Sequence, residues 1–103
     1  MKTMKLLMQR IDDELQDACS YAKLALEYQE SEPELANLFE RLSGEEMTHA
    51  TALHNCVMAH IETYRQKGRP VPEAMTAVYE CLHERQIDKS AKVRLLQKMY
   101  SER

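Results

Sequence analysis

Apolar residues recur every three or four positions along most of the chain, which is the spacing of one face of an α-helix. The pattern predicts a first helix from Thr3 to Glu30 and a second from Pro33 to Lys67. The break between them, Ser31-Glu32-Pro33-Glu34, is typical of a capping box in which Ser31 caps the second helix. Gly68 is expected to end that helix. Because the connection is short, the two helices should form a long antiparallel hairpin.

The segment after Gly68 predicts a rigid linker that contains Pro70 and Pro72, followed by two shorter helices near Glu73–Gln86 and Asp88–Ser101. Asp88 is the expected N-cap of the last helix. The predicted fold is therefore all-α, with residues 1–68 as the hairpin and residues 69–103 as a C-terminal helical extension that makes oligomer contacts. The extension could pack on its own hairpin or reach a neighbouring chain. Two long helices cannot cover their own apolar stripes, so a partner chain is expected.

Composition narrows the class of protein further. The chain has 103 residues, two glycines and a net charge of −3, so it lacks the basic balance that nucleic-acid binding favours. No apolar stretch approaches the length of a membrane span, and the apolar run near the N-terminus is too short for a signal peptide. The three cysteines show no CxxC spacing, which indicates free thiols in a reducing, cytoplasmic setting.

Each long helix carries an apolar stripe that is interrupted by ionisable residues. The first stripe comprises Leu7, Ile11, Glu14, Ala18 and Tyr21, and the second comprises Leu35, Phe39, Leu42, Glu46, His49 and Leu53. Glu14, Glu46 and His49 therefore stand where apolar residues are expected. A buried carboxylate costs several kcal/mol unless it is paired or bound to a metal. We therefore expect these three groups to share one binding partner.

The spacing Glu46-x-x-His49 places a carboxylate and an imidazole on one helix face, about one turn apart. Together with Glu14 on the neighbouring helix, this is half of the ligand set of a di-iron carboxylate bundle. The simplest completion is a two-fold homodimer. Its four carboxylates would neutralise two divalent ions, and the open coordination positions suit iron or manganese better than a closed structural zinc site.

A second copy of the same spacing, Glu80-x-x-His83, occurs on the predicted third helix. Its neighbours on that face, such as Thr76 and Glu84, are mostly polar. We interpret it as a solvated surface pair, while metal binding by Glu80 and His83 stays open. The His54 side chain is also expected to be exposed, and Asp12 is expected to be a solvated charge.

The stretch from Ile11 to Glu62 resembles the ferritin-like superfamily, in particular half-bundle types such as encapsulated ferritins. The residues that carry the resemblance are Glu14 with Tyr21 seven residues later, Pro33-Glu34-Leu35 and Glu45-Glu46-Met47-Thr48-His49. The resemblance implies a ferritin-like four-helix bundle formed by dimerisation, with Glu14, Glu46 and His49 as the iron-binding and catalytic residues. Tyr21 would hydrogen-bond a ligand carboxylate.

The same resemblance implies a ferroxidase-like oxidoreductase, which oxidises ferrous iron with oxygen or peroxide for iron storage or detoxification. Its partners would be a second copy or a ring of dimers, and an encapsulin-type shell within a protein compartment. Two alternatives stay open from the residues alone. The polar layer could fix the register of a non-catalytic helical oligomerisation module, or the bundle could hold manganese or zinc for structure.

Overall fold

The structure is a computed structural model that describes residues 2–103. Its elements are α1 (Lys2–Tyr28), α2 (Pro33–Gln66) and α3 (Glu73–Ser101), and this part of the chain contains no strand. The prediction of an all-α fold is confirmed. None of the described helices combines the length and the apolar character that crossing a membrane requires.

The turn between α1 and α2 differs slightly from the prediction. α1 ends at Tyr28, and Glu32 rather than Ser31 is the N-cap residue of α2, without a side-chain capping hydrogen bond. The predicted capping box at Ser31 is therefore wrong. The reason lies in Pro33 at the first helical position, because a proline holds the residue before it in an extended conformation. Glu32 accordingly has φ −144° and ψ 77°.

The end of α2 agrees with the prediction. Gly68 has φ +66°, a conformation that glycine adopts without steric cost. The next amide, that of Arg69, donates a 2.9 Å hydrogen bond to the carbonyl of Tyr64. The chain then runs through two prolines, and Pro72 is the N-cap of α3.

The C-terminal part forms one continuous helix of 29 residues, so the prediction of two shorter helices is wrong. Asp88 does not cap a helix; it lies within α3. No proline or glycine occurs between Glu73 and Ser101, and Asp in a helix interior costs less than about 1 kcal/mol relative to Ala. Burial of Gln86 and Val93 on the same side of α3 outweighs that cost.

The two long helices are antiparallel. Met4 near the start of α1 shares a buried cluster with Ile61 near the end of α2, and Ala25 shares one with Ala36 at the opposite end. The apolar part of the seam is built from Met4, Met8, Ile11, Leu15, Ala18, Ala22 and Ala25 of α1 and Ala36, Ala50, Val57 and Ile61 of α2. These positions follow the heptad spacing of packed helix pairs. The stripe read from the sequence overlaps this seam only in part.

α3 packs on its own hairpin and runs parallel to α1. Met75 at its start belongs to the cluster around Met4. In the middle, Gln86 donates 3.1 Å hydrogen bonds to the Met8 carbonyl and the Asp12 carboxylate. Near its end, the hydroxyl of Tyr100 donates to the Asn37 side chain. Asp12 is therefore not a solvated charge, since it is buried and also bonded to an arginine of α3.

Within residues 2–103, no third helix covers the opposite side of the hairpin. On α1, Asp12 contacts α3, and Glu14 follows two residues later, a rotation of about 200° around the helix axis. On α2, the ring of His54 stacks on that of His83 in α3, and His49 lies five residues earlier, about 140° away. We call this side the open face; its half-buried apolar residues are Leu7, Tyr21, Tyr28, Leu35, Phe39, Leu42 and Leu53.

The buried hydrogen bonds of Gln86 should hold α3 in register on α1. Replacing Gln86 by Met keeps the length of the side chain but removes its bonds to the Met8 carbonyl and to Asp12. We expect the free energy of unfolding to fall by about 1–3 kcal/mol. Urea unfolding followed by circular dichroism measures the loss.

The matched control is Arg85→Met. Arg85 bonds the same Asp12 carboxylate at 2.9 Å, but its side chain is 56% exposed. Because the Arg85 guanidinium is largely hydrated, we expect its removal to cost less stability than removal of the buried Gln86 amide. Equal losses of stability in the two variants would contradict the leading role of the buried amide.

Candidate metal centre

Three ligand-type side chains meet at the middle of the open face. Glu14 comes from the centre of α1, and Glu46 and His49 come from successive turns of α2. The antiparallel packing of the two helices brings the midpoint of α1 beside that of α2. The three residues predicted from the interrupted stripes therefore lie together.

The geometry of the cluster is compact. One ligand atom from each of Glu14, Glu46 and His49 lies within 4.8 Å of the others. The His49 Nδ1 atom lies 3.5 Å from Glu14 Oε2 and 3.5 Å from Glu46 Oε1. Metal–ligand bonds of about 2.0–2.2 Å place neighbouring ligand atoms roughly 3–3.5 Å apart. The cluster can thus close around one ion through small side-chain adjustments.

The two carboxylates are more shielded from solvent than the imidazole. Glu46 and Glu14 side chains are 18% and 26% exposed, whereas that of His49 is 57% exposed. Carboxylate pairs are rarely shielded from solvent without a cation or a shared proton, because their charges repel in a medium less polar than water. The cluster is therefore a candidate metal centre that opens onto the uncovered face.

The carboxyl group of Glu46 responds most strongly to these surroundings. Its hydrogen bond with Glu14 raises the pKa of Glu46 from the ordinary value of 4.5 to about 7. Burial and the negative charges of Glu14 and Asp17 act in the same direction, while His49 opposes them. In the absence of a metal, Glu14 and Glu46 therefore share a proton into the neutral pH range.

Tyr21 lies on the same face but does not bond to the cluster within the described chain. Its ring stacks on Phe39, with centroids 6.1 Å apart and an angle of 22° between the planes. Two turns separate Tyr21 from Glu14, a rise of about 10 Å. A hydrogen bond from Tyr21 to a ligand carboxylate stays a prediction.

The second Glu-x-x-His spacing has a different environment from the one predicted. His83 is not a solvated side chain: it is half-buried and stacks on His54 and Tyr79, with centroids 5.2 Å and 4.7 Å apart. His54 is likewise half-buried, which corrects its predicted exposure. Glu80 is exposed, and within residues 2–103 no group of three metal-ligand side chains includes it.

Sequence reasoning missed the contacts between α3 and the hairpin. The hydroxyl of Ser43, fully buried in the α1–α2 seam, donates to the Ala18 carbonyl at 2.7 Å and accepts from the Gln97 amide at 3.0 Å. The seven-residue spacing of Ala36, Ser43 and Ala50 was the available signal. Small residues at this spacing mark a tightly packed seam rather than a solvated face.

No family model, curated protein or solved structure matches this chain. The geometry and chemistry of its own residues therefore have to carry the assignment of function.

The proton shared by Glu14 and Glu46 should make the stability of the metal-free protein depend on pH. In the metal-free protein, folded Glu46 keeps a proton between pH 4.5 and about 7 that the unfolded chain has released. We therefore expect a stabilising contribution that is fully present below pH 4.5 and is lost as the pH rises through about 7. Urea unfolding in the presence of a chelator, repeated across this range, measures it.

The variant Glu46→Gln provides the reference, because its side chain does not titrate. Other groups of the chain titrate in both proteins, so the difference between the two pH profiles isolates Glu46. Coincident profiles would contradict a shared proton.

Proposed function

We propose that two copies of this chain pair through the open face, that their half-sites together hold two iron ions, and that the assembly oxidises ferrous iron. The observation that carries the proposal is the convergence of Glu14, Glu46 and His49 within 4.8 Å at the centre of an uncovered apolar face. A site of this composition on a buried seam would be a structural polar layer. On an uncovered face, the same three ligands are open to a second copy of the chain, which would complete the site.

The apolar surroundings of the cluster support pairing with a second copy. Leu42 and Leu53 each lie about one turn from the nearer ligand on α2, and Leu7 and Tyr21 each lie about two turns from Glu14 on α1. All four side chains are only half-buried in the single chain. A two-fold axis through the cluster would bury them against their own copies and bring the two ligand sets together.

The ligand atoms of the cluster favour iron as the bound metal. Each half-site offers two carboxylates and one imidazole, which is richer in oxygen than the thiolate and histidine sets of structural zinc sites. Three protein residues per ion leave coordination positions for water or an oxidant. Manganese would fit the same donors, so the metal has to be identified by measurement.

Two ions side by side suit a two-electron oxidation. Two ferrous ions release two electrons in becoming ferric. With two protons these electrons reduce oxygen to hydrogen peroxide, or reduce hydrogen peroxide to two molecules of water. Glu14, Glu46 and His49 would hold the ions at a fixed separation throughout. The iron itself is the substrate, and its oxidation would serve storage or detoxification.

Metal content distinguishes this function from its alternatives. After anaerobic loading with ferrous iron, the wild-type protein should retain two irons per dimer and develop ferric absorbance in air faster than buffer alone. Glu46→Ala should lose the bound iron and the rate enhancement, because it removes one of two carboxylates from each half-site. Elemental analysis and stopped-flow absorbance provide the two measurements.

The matched control is Glu45→Ala, which removes the adjacent carboxylate. Glu45 is exposed and lies only 3.9 Å from Arg41 in a surface pair, so iron binding should be unchanged. Iron binding without faster oxidation would refute the enzymatic function. A protein purified with manganese or zinc would favour a structural metal, and an unchanged metal content in Glu46→Ala would favour the oligomerisation module.

A charged residue introduced into the open face tests whether two copies pair through it. Leu42→Arg places a cation beside the cluster, where a second copy would bury it without a partner. We expect a monomer in analytical ultracentrifugation, together with loss of iron oxidation. The control is Leu95→Arg on α3, where the native side chain is already 59% exposed. A Leu42→Arg protein that stays dimeric and active would place the interface elsewhere.

A further inference from the structure

A cavity of about 310 Å³ lies between α2 and α3, on the side of the hairpin that faces away from the metal centre. Its volume is at the lower end of the range for small-molecule sites. Ile11 and Leu15 of α1 and Met47 and Ala50 of α2 contribute to an apolar wall. The rest of the lining includes polar side chains, so the cavity is amphipathic.

One end is lined by His54, His83 and Gln86. Each of these side chains has one buried polar atom without a hydrogen-bond partner within residues 2–103, namely His54 Nε2, His83 Nδ1 and Gln86 Oε1. The Gln86 residue is only 4% exposed, and its amide nitrogen is held by Met8 and Asp12, so its carbonyl oxygen has a fixed place. Buried polar atoms are nearly always bonded in folded proteins. Three unpaired atoms belong to side chains that line one end of this cavity, so a ligand that reaches them would satisfy their hydrogen bonds.

The other end carries a positive charge. Arg94 lies eight residues after Gln86 on α3, a rise of about 12 Å, with Ser90 between them. Arg94 makes no ion pair with the described residues, and no Asp or Glu lines the cavity. In a chain with a net charge of −3, such a lining favours an anionic group at this end.

A metal ion fits this cavity less well. The planes of the His54 and His83 rings are within 20° of parallel, with centroids 5.2 Å apart. Imidazole lone pairs lie in the ring plane, so two stacked rings do not direct both nitrogens at one ion. Moreover, Arg94 would repel a cation.

We infer that this cavity binds a small elongated organic carboxylate, with an apolar body and a hydroxyl group at the end opposite the carboxylate. Arg94 pairs with the carboxylate, and the apolar wall covers the body. The hydroxyl donates to Gln86 Oε1 and accepts an N–H from one of the two imidazoles. Burial, followed by the proximity of His83, lowers the pKa of His54, which keeps that imidazole neutral and able to share such a bond.

Two test ligands of this class, para-hydroxybenzoate and ω-hydroxyhexanoate, differ in the shape of the body. Titration calorimetry should detect binding of at least one by the wild-type protein at millimolar concentration, and proton NMR should show shifts of the His54 and His83 ring signals. Para-hydroxybenzamide lacks the charge and benzoate lacks the hydroxyl, so each should bind about tenfold more weakly than para-hydroxybenzoate.

Two variants locate the site. Arg94→Gln should weaken binding about tenfold, whereas Arg41→Gln, at an exposed arginine of α2 outside the cavity, should leave it unchanged. Ala91→Trp should abolish binding by filling the cavity from its exposed rim. Both positions are exposed, so the fold should tolerate the changes, which circular dichroism verifies.

Three results would overturn the inference. The first is no binding of either hydroxy acid by the wild-type protein. The second is binding that neither Arg94→Gln nor Ala91→Trp affects. The third is a zinc titration of the Glu46→Ala protein that shifts the His54 and His83 signals while the acids do not, which would make the cavity a metal site. None of these outcomes bears on iron oxidation, which depends on the other face.

Discussion

Small side chains along the seam between α1 and α2 are the constraint on which the rest of the molecule depends. Ala18, Ala22, Ala25 and Ala36 are fully buried there, and Ser43 joins them with its hydroxyl bonded across the seam. Small residues allow two helices to approach closely. That approach brings Glu14 within reach of the two ligands on α2, and larger residues at these positions would separate the two halves of the cluster.

Among the helices of residues 2–103, α1 packs extensively on both of the others, whereas α2 and α3 contact each other little. The two sides of α1 have different roles. The side that bears Asp12 is covered by α3, where Gln86 and Arg85 bond to the carboxylate. The side that bears Glu14 stays uncovered. α3 therefore leaves the ligand cluster exposed at the centre of an apolar surface, while a separate amphipathic cavity forms on its own side of the hairpin. A cluster of ligand-type side chains and an amphipathic cavity thus lie on opposite sides of one hairpin.

Much of the local structure, including the hairpin turn, the glycine stop and the meeting of Glu14, Glu46 and His49, could be predicted from periodicity and spacing. The core register could not, because much of the seam is alanine, whose small apolar area contributes little to a hydrophobic stripe. The larger residues, such as Leu42 and Phe39, lie on the open face and dominate the pattern. The pairing of His54 with His83 depends on how α3 docks, and spacing within one helix carries no information about that.

The proton shared by Glu14 and Glu46 has a consequence for assembly. Because the pKa of Glu46 is raised to about 7, this face carries less negative charge between pH 4.5 and 7 than it would if Glu46 had its ordinary pKa. Two such faces repel each other far less than two fully ionised ones. In the proposed dimer, this proton would occupy the place of the metal: two open faces would meet with less repulsion before any ion binds, and each ion that binds would release a proton to the solvent.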